Sequence, residues 1–284
     1  MASYQDPLQT QRPMYFGMAY RLLGSVSDAE DVLQEAYLRW ARTDQSQVLQ
    51  PRRYLSRIVT HLSIDRLRHR ANHETYIGSW LPEPLATDVT TDPAATAEKL
   101  DSLSIATLHL LETLDPVERA VFVLRHAFEL PYNEIAETVE RTPEHCRQIF
   151  KRASQRLSGR HKRFSPSQTE HGILLRRFLA AAQEGDIEQL RKVLHSGVVL
   201  WTDGGGKVKA ALNPVYGSDR VGRFAVGIYG GSDLDFSMRE LNGLPAAVIR
   251  FQSATYLVSI SVDNGVIDRL FVMGNPDKIS AFSG

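Results

Sequence analysis

Apolar positions recur at helical spacing through roughly the first 163 residues, then give way to short helical stretches and strand-like runs from about residue 172. Residues 14–42 read as two helices broken at Gly24, with Ser27 as N-cap of the second and Glu30 three residues on completing a capping box. In the second helix Ala29, Val32, Leu33, Ala36, Tyr37 and Trp40 point inward, leaving Asp28, Asp31, Gln34, Glu35 and Arg39 as an acidic-polar outer face. After a polar loop at 43–50, a third helix opens near Pro51 with Leu55, Ile58, Val59 and Leu62 as its core face. Its outer side carries Arg53, Arg57, His61, Asp65, Arg68 and Asn72.

A second helical unit covers 98–163: Leu100, Leu103, Leu110, Leu111 and Leu114 line one helix, and Asp115-Pro116-Val117-Glu118 supplies the N-cap, first-turn proline and acid of the next. Residues 132–140 predict a short helix with Ile135, Ala136 and Val139 inward. Thr142 and Pro143 then start another, whose apolar stripe is Cys146, Ile149, Phe150, Ala153 and Leu157. Between the two helical units, residues 74–97 contain three prolines and many Thr and Asp, a linker. Within it Tyr76, Ile77, Trp80 and Leu81 are too apolar for a pure spacer and suggest a docking segment. A hinge is expected at 164–171, then an α+β domain at 172–284 with helices near 173–183 and 187–194 and strands at 198–202, 246–251, 256–262 and 266–273. Asn264-Gly265 joins the last two strands as a hairpin turn, because both residues tolerate positive φ.

Charge changes the picture. The 33 basic and 33 acidic residues cancel overall, yet they are segregated: 51–73 hold six Arg against one Asp, 74–101 six acids against one Lys, and 141–163 eight Lys/Arg against one Glu. The acidic stretch either shields the basic ones or is a solvated linker. The helix from Thr142 sets Arg147, Gln148, Lys151, Arg152, Gln155 and Arg156 opposite its apolar stripe. Against the bland reading of a solvated surface helix stand its capped start, the tight turn before it, and side chains able to pair with guanine or adenine edges. Together these predict a DNA-binding helix-turn-helix. Arg147, Gln148 and Arg152 suit base edges, whereas Lys151, Arg160, Lys162 and Arg163 suit phosphates.

Cys146 is the single cysteine, which excludes an intrachain disulfide and a cysteine-rich zinc site and leaves a structural thiol or a redox sensor. No metal or cofactor is called for. The N-terminal residues lack a secretion signal and no apolar run suffices for a membrane span, so a soluble, cytoplasmic protein is expected.

With those residues in view, 14–163 resemble bacterial RNA polymerase sigma factors of the extracytoplasmic-function (ECF) class, in the sigma-70 family. AYRLLGSVSDAEDVLQEAYLRW is similar to the family's first conserved region, PRRYLSRIVTHLSIDRLR to its promoter-melting helix, and LDPVERAVFVLRHAFELPYNEIAETV to its C-terminal helical domain. The resemblance implies a region 2 domain at 1–73, a region 4 helix-turn-helix domain at 98–163, and binding to core RNA polymerase through the β′ clamp helices and β flap and to promoter DNA. It implies further that Asp28, Asp31, Gln34 and Glu35 dock on the clamp helices. Arg53, Arg57, His61, Arg66, Arg68 and Asn72, with the 43–50 loop, would engage and open the −10 element. Thr142, His145, Arg147, Gln148, Lys151, Arg152, Gln155 and Arg156 would read the −35 element.

The remainder is similar to a sigma subgroup with a fused SnoaL-like domain, a cone-shaped α+β barrel with an internal cavity. This similarity rests on YIGSWLPEP, WTDGGGK, ALNPVYG and NPDKI. The implied regulatory contacts are Trp80, Leu81, Pro82, Glu83 and Pro84 in the linker with Asp203, Gly204, Gly205, Gly206, Lys207, Asn275, Pro276, Asp277 and Lys278. For WTDGGGK three readings stay open: a turn needing positive φ, a docking surface for the linker, or a ligand loop. A small-molecule ligand in the cavity is a further candidate partner, with Trp201, Tyr216, Phe224, Tyr229 and Phe251 either lining it or packing as core. Catalysis is not expected: His195 suits a C-cap, His171 falls in the hinge, and Asp203 has no nearby histidine. The competing functions are a ligand-responsive helix-turn-helix regulator acting without polymerase, which would not need the 14–72 unit, and an enzyme with an accessory DNA-binding region.

Overall fold

A computed structural model of the chain describes residues 10–73, 76–86, 103–158, 167–232, 235–251 and 253–282. These cluster into two compact units. Described residues 10–73 and 108–158 form a helical unit, while 76–86, 103–107 and 167–282 form an α+β unit. The docking segment of the linker is thus an integral part of the second unit.

In the helical unit α1 (Arg12–Leu23) ends at Gly24, whose φ of 63° terminates the helix. The N-cap of α2 (Val26–Arg42) is Ser25, not Ser27: Ser25 holds an extended backbone and its Oγ accepts from Asp28 N–H at 3.2 Å. Ser27 lies in the first turn. Ala29, Val32, Leu33, Ala36 and Trp40 are buried as the periodicity predicts. Tyr37, expected inward, is 42% exposed, since it sits about 100° round the helix from Ala36.

Helix α3 (Pro51–His73) buries Leu55, Val59, Ile64 and Leu67, while Ile58 and Leu62 are half-buried. Its core face is mixed: Thr60 and Ser63 are buried with their hydroxyls donating to the carbonyls of Ser56 and Val59, both at 2.8 Å.

Of the helix expected from residue 98, the described part is α4 (Ile105–Leu111); Leu100 lies outside the described residues. The capping box of Asp115 and Glu118 starts α5 (Pro116–His126), and α6 (Tyr132–Val139) ends at Glu140 with φ 55°. Thr142 Oγ1 accepts from His145 N–H at 3.2 Å to open α7 (Pro143–Ser158), which buries Cys146, Ile149, Ala153 and Leu157. Phe150 stacks on Phe122 with centroids 5.7 Å apart. Helices α1 and α3 pack against α5, and α3 also against α6, so both helical regions share one core. At that junction buried Arg119 donates to Leu22 O at 2.9 Å and to Glu112 Oε1 at 2.7 Å.

The second unit begins earlier than the pattern suggested. Ser167 and Glu170 form a capping box for α8 (Gln168–Glu184), so His171, expected in a hinge, is buried within a helix. After α9 (Ile187–Val193) the chain enters β1 (Leu194–Asp203) directly. His195 therefore lies in a strand, where its Nδ1 accepts from Gly197 N–H at 3.1 Å, and caps no helix. Among the elements that were not anticipated are β2 (Val215–Tyr216), α10 (Ser218–Tyr229) and β3 (Asp235–Leu241). Then follow β4 (Leu244–Phe251), β5 (Ala254–Asp263), β6 (Val266–Met273) and a short α11 (Pro276–Ile279). At the predicted hairpin turn Asn264 and Gly265 have φ 52° and 77°.

The sheet order is β2-β1-β6-β5-β4-β3, antiparallel except for the parallel β1–β6 pair. One face packs on the helices through Leu175, Phe178, Leu200, Val221, Ile249 and Val258. The other gathers Trp201, Ala246, Val248, Leu257, Phe271 and Met273 around Leu81, Ile105 and Ala106. This is the expected SnoaL-like α+β domain, a sheet with helices on one face and the linker covering the other.

Candidate promoter-binding surface and linker clasp

The helix-turn-helix consists of α6 and α7. The turn works because Glu140 adopts the left-handed conformation that ends α6 and Thr142 caps α7 two residues later. Thr142, His145, Arg147, Gln148, Lys151, Arg152, Gln155 and Arg156 are all exposed, opposite the buried stripe. Within this row Arg147 pairs with Glu144 at 2.9 Å and lies over the Tyr132 ring at 5.4 Å. Arg156 turns back to Glu118 at 2.8 Å. Cys146 is buried, which raises its thiol pKa and suits a structural thiol. Arg160, Lys162 and Arg163 lie outside the described residues.

The candidate −10 cations are distributed along α3. Arg57, Arg66, Arg68 and Asn72 are exposed, while Arg53 and His61 are half-buried. Two of them face acids of the helix-turn-helix: Arg53 pairs with Glu137 at 2.5 Å and Arg57 with Glu140 at 3.6 Å. Arg66 pairs with Asp28 at 2.6 Å and Asp31 at 3.5 Å, so a candidate DNA contact and two candidate polymerase contacts meet. Arg68 pairs with Asp65. Gln34 and Glu35 lie exposed on α2, Glu35 bonded to Arg39 at 3.0 Å.

The linker is held by a clasp built around Asp203, at the end of β1. Its carboxylate is fully buried and accepts four hydrogen bonds: from Tyr76 O–H at 2.5 Å, Leu81 N–H at 2.9 Å, Gly205 N–H at 3.0 Å and Lys278 Nζ at 2.8 Å. Lys278 also donates to Leu81 O at 2.6 Å and sits over the rings of Trp80 at 4.2 Å and Tyr76 at 4.8 Å. Asn275 Nδ2 donates to Tyr76 Oη at 2.9 Å. Burial, with the bond to Asp203, raises the Tyr76 phenol well above its ordinary value, so it remains a donor.

Pro82 and Pro84 are buried and Glu83 half-buried. Pro276 opens α11, which carries Asp277 and Lys278. The WTDGGGK segment combines two of the anticipated properties. Gly205 and Gly206 have φ 58° and 73°, and a Cβ on Gly206 would meet Ile77 at 2.9 Å. Gly204 is buried, and Lys207 grips Asp277 at 2.6 Å.

A second fastening escaped the sequence analysis. Buried Asn242 accepts from Leu85 N–H at 2.9 Å through Oδ1 and donates to Leu103 O at 2.8 Å through Nδ2, while its own N–H bonds Leu85 O at 2.9 Å. Its signal was Asn242-Gly243, a hairpin turn dipeptide with φ 53° and 79°.

Among the described residues no group of three metal-ligating side chains occurs, and no helix is long and apolar enough to cross a membrane.

A helical module bearing arginine-rich α3, followed by a helix-turn-helix module, is the make-up of a sigma-70-type initiation factor. Residues 8–73 match the family model for Sigma-70 region 2, and residues 104–157 that for Sigma-70, region 4. The chain is 34% identical to the ECF RNA polymerase sigma factor SigJ of Mycobacterium tuberculosis H37Rv, over 95% of this chain and 91% of the relative. It is 28% identical to the probable ECF RNA polymerase sigma factor SigI of M. tuberculosis CDC 1551, over 98% and 96%. A crystal structure of M. tuberculosis SigJ superposes with a TM-score of 0.76 at 31% identity, covering 96% of this chain and 97% of that one. The chain belongs to the ECF RNA polymerase sigma factors. It is therefore a promoter-recognising initiation factor that works with core RNA polymerase, not an enzyme.

Proposed function

We propose that the α+β domain controls this sigma factor in cis by holding the linker between its two promoter-binding regions. The observation that carries the reading is the Asp203 carboxylate, buried and shared between two linker residues, Tyr76 and Leu81, and the domain's own Lys278. A buried carboxylate saturated with donors holds a segment in one register far better than a surface pair would. In this reading α7 reads the −35 element with Gln148, Lys151 and Arg152, and α3 engages the −10 element. The Asp28, Asp31, Gln34 and Glu35 face meets the β′ clamp helices, with region 4 near the β flap. The pairs Arg53–Glu137 and Arg57–Glu140 occupy cations that the −10 element needs, so promoter engagement requires them to part.

In vitro transcription with bacterial core polymerase tests this, comparing the full chain with its Asp203→Ala variant across a library of promoter fragments. Transcripts dependent on the protein, and an output that changes when the clasp is cut, are expected. Equal output from both at every polymerase concentration would remove the control role while leaving the initiation role intact.

A further inference from the structure

Between the sheet and helices α8 and α10 lies a cavity of about 830 Å³, within the size range of small-molecule sites. Its walls are chiefly apolar, with Phe178, Phe224 and Phe251 supplying aromatic surface. Two phenols, Tyr229 and Tyr256, also line it, and among the described residues neither hydroxyl has a hydrogen-bond partner. Burial raises both, Tyr229 to about 12, so each presents a neutral O–H donor at physiological pH. Among the described residues the one carboxylate in the lining, Asp203, is committed to the clasp, and Lys209 is exposed. The described lining offers apolar area and hydroxyl donors but, with Asp203 paired to Lys278, no uncommitted interior charge, which selects against ions.

The cavity and the clasp share structure. Thr202 and Asp203 end β1, Val208 to Ala211 line the chamber, and Gly274 closes it beside the clasp. These pieces are tied together: Thr202 Oγ1 donates to Ala211 O at 3.0 Å, and Gly274 N–H and Asn275 N–H donate to Asp203 O at 2.8 and 3.0 Å. A molecule pressing on the 208–211 wall therefore presses on the residue that holds Tyr76 and Leu81.

We propose that this cavity binds a neutral, largely apolar ring compound carrying a hydrogen-bond acceptor, of the aryl ketone class, and that its occupancy sets how firmly Asp203 holds the linker. The second half rests on the clasp reading above.

The test uses the full chain and the neutral fluorescent ketone 6-propionyl-2-(dimethylamino)naphthalene. Saturable one-to-one binding in the micromolar range is expected. The paired change Tyr229→Phe and Tyr256→Phe should weaken it by about tenfold through loss of the two donors. Filling the chamber with Ala225→Trp should abolish it; should that variant fail to fold, the phenylalanine pair decides alone. The anionic analogue 2-naphthoate should bind at least about tenfold more weakly, for want of an interior cation. Hydrogen exchange at the Leu81 amide should change by about threefold or more on saturation.

No saturable binding, binding unaffected by the tyrosine changes, or equal binding of the anion overturns the site. Binding without a change at Leu81 overturns the coupling. If the ketone fails to bind while Asp203→Ala still speeds Leu81 exchange, the cavity proposal falls and the clasp reading survives.

Discussion

Cutting the clasp at Asp203 is the sharpest perturbation of this chain, because the same domain contains an internal control for it. In the Lys278–Asp203 pair the side chains are 11% and 0% exposed; in the nearby Lys207–Asp277 pair they are 53% and 63% exposed. Removing one partner of a buried pair costs about 3–5 kcal/mol, whereas an exposed pair is worth about 0–1 kcal/mol. Asp203→Ala strands the Tyr76 hydroxyl and the Leu81 and Gly205 amides as well as the Lys278 cation. Lys278 keeps Leu81 O and the faces of Trp80 and Tyr76, which places the loss at the lower end, about 3 kcal/mol, or roughly a hundredfold in the opening equilibrium of the linker. Amide hydrogen exchange at Leu81, whose N–H bonds the lost carboxylate, reads that equilibrium directly. The rate is expected to rise by about two orders of magnitude in Asp203→Ala, and by less than about fivefold in Lys207→Ala. A folded Asp203→Ala whose Leu81 amide exchanges at the wild-type rate, or the same rise in both variants, would refute the argument.

Further outcomes are expected elsewhere. Asn242→Gly keeps the turn at positive φ but strands Leu85 N–H and Leu103 O; protection of the Leu85 amide should fall by about 2 kcal/mol, and unchanged protection would deny Asn242 its fastening role. His171 is held neutral by burial with its pKa lowered to about 4, from 6.5. Its stabilisation is therefore complete above pH 6.5 and is lost as pH falls towards 4, with about 2 kcal/mol gone at pH 5. Urea unfolding at pH 7 and pH 5 should show that slope for wild type and a flatter one for His171→Phe. Arg152→Ala should cost about 1–3 kcal/mol of promoter affinity with relaxed −35 preference, measured across a promoter library; an intact preference would exclude a base contact. The pair Glu137→Gln and Glu140→Gln releases Arg53 and Arg57, and affinity for −10 DNA should rise by about threefold to tenfold at low salt; an unchanged affinity would mean the pairs do not restrain binding.

The helical half was legible because its signals are local. Asp115-Pro116-Val117-Glu118 and Thr142-Pro143 each specify a helix start within four residues, and the Cys146 to Leu157 stripe fixes which face is buried. Where two serines compete, as Ser25 and Ser27 do, the choice depends on backbone conformation that composition does not encode. The second half was harder. Helix α10 carries Gly222 and Gly227 with several β-branched residues, so propensity conceals it and packing against the sheet forms it. Asp203 could be singled out as unusual, but not as a clasp, because Tyr76, Leu81 and Lys278 converge on it from distant parts of the chain. Serine and proline around position 167 suggested a hinge, although Ser167 with Glu170 already spelled the capping box that draws His171 into α8.

The clasp also sets a clock. Leu81 and Lys278 are 197 residues apart, so a ribosome adding about 5–20 residues per second takes about 10–40 s to travel from one to the other. Within that interval the second promoter-binding region, residues 104–157, is completed before Asp203 and Lys278, the residues that fasten the linker, have been made. Each newly made chain thus passes once through an unfastened state before its own carboxyl-terminal half can restrain it.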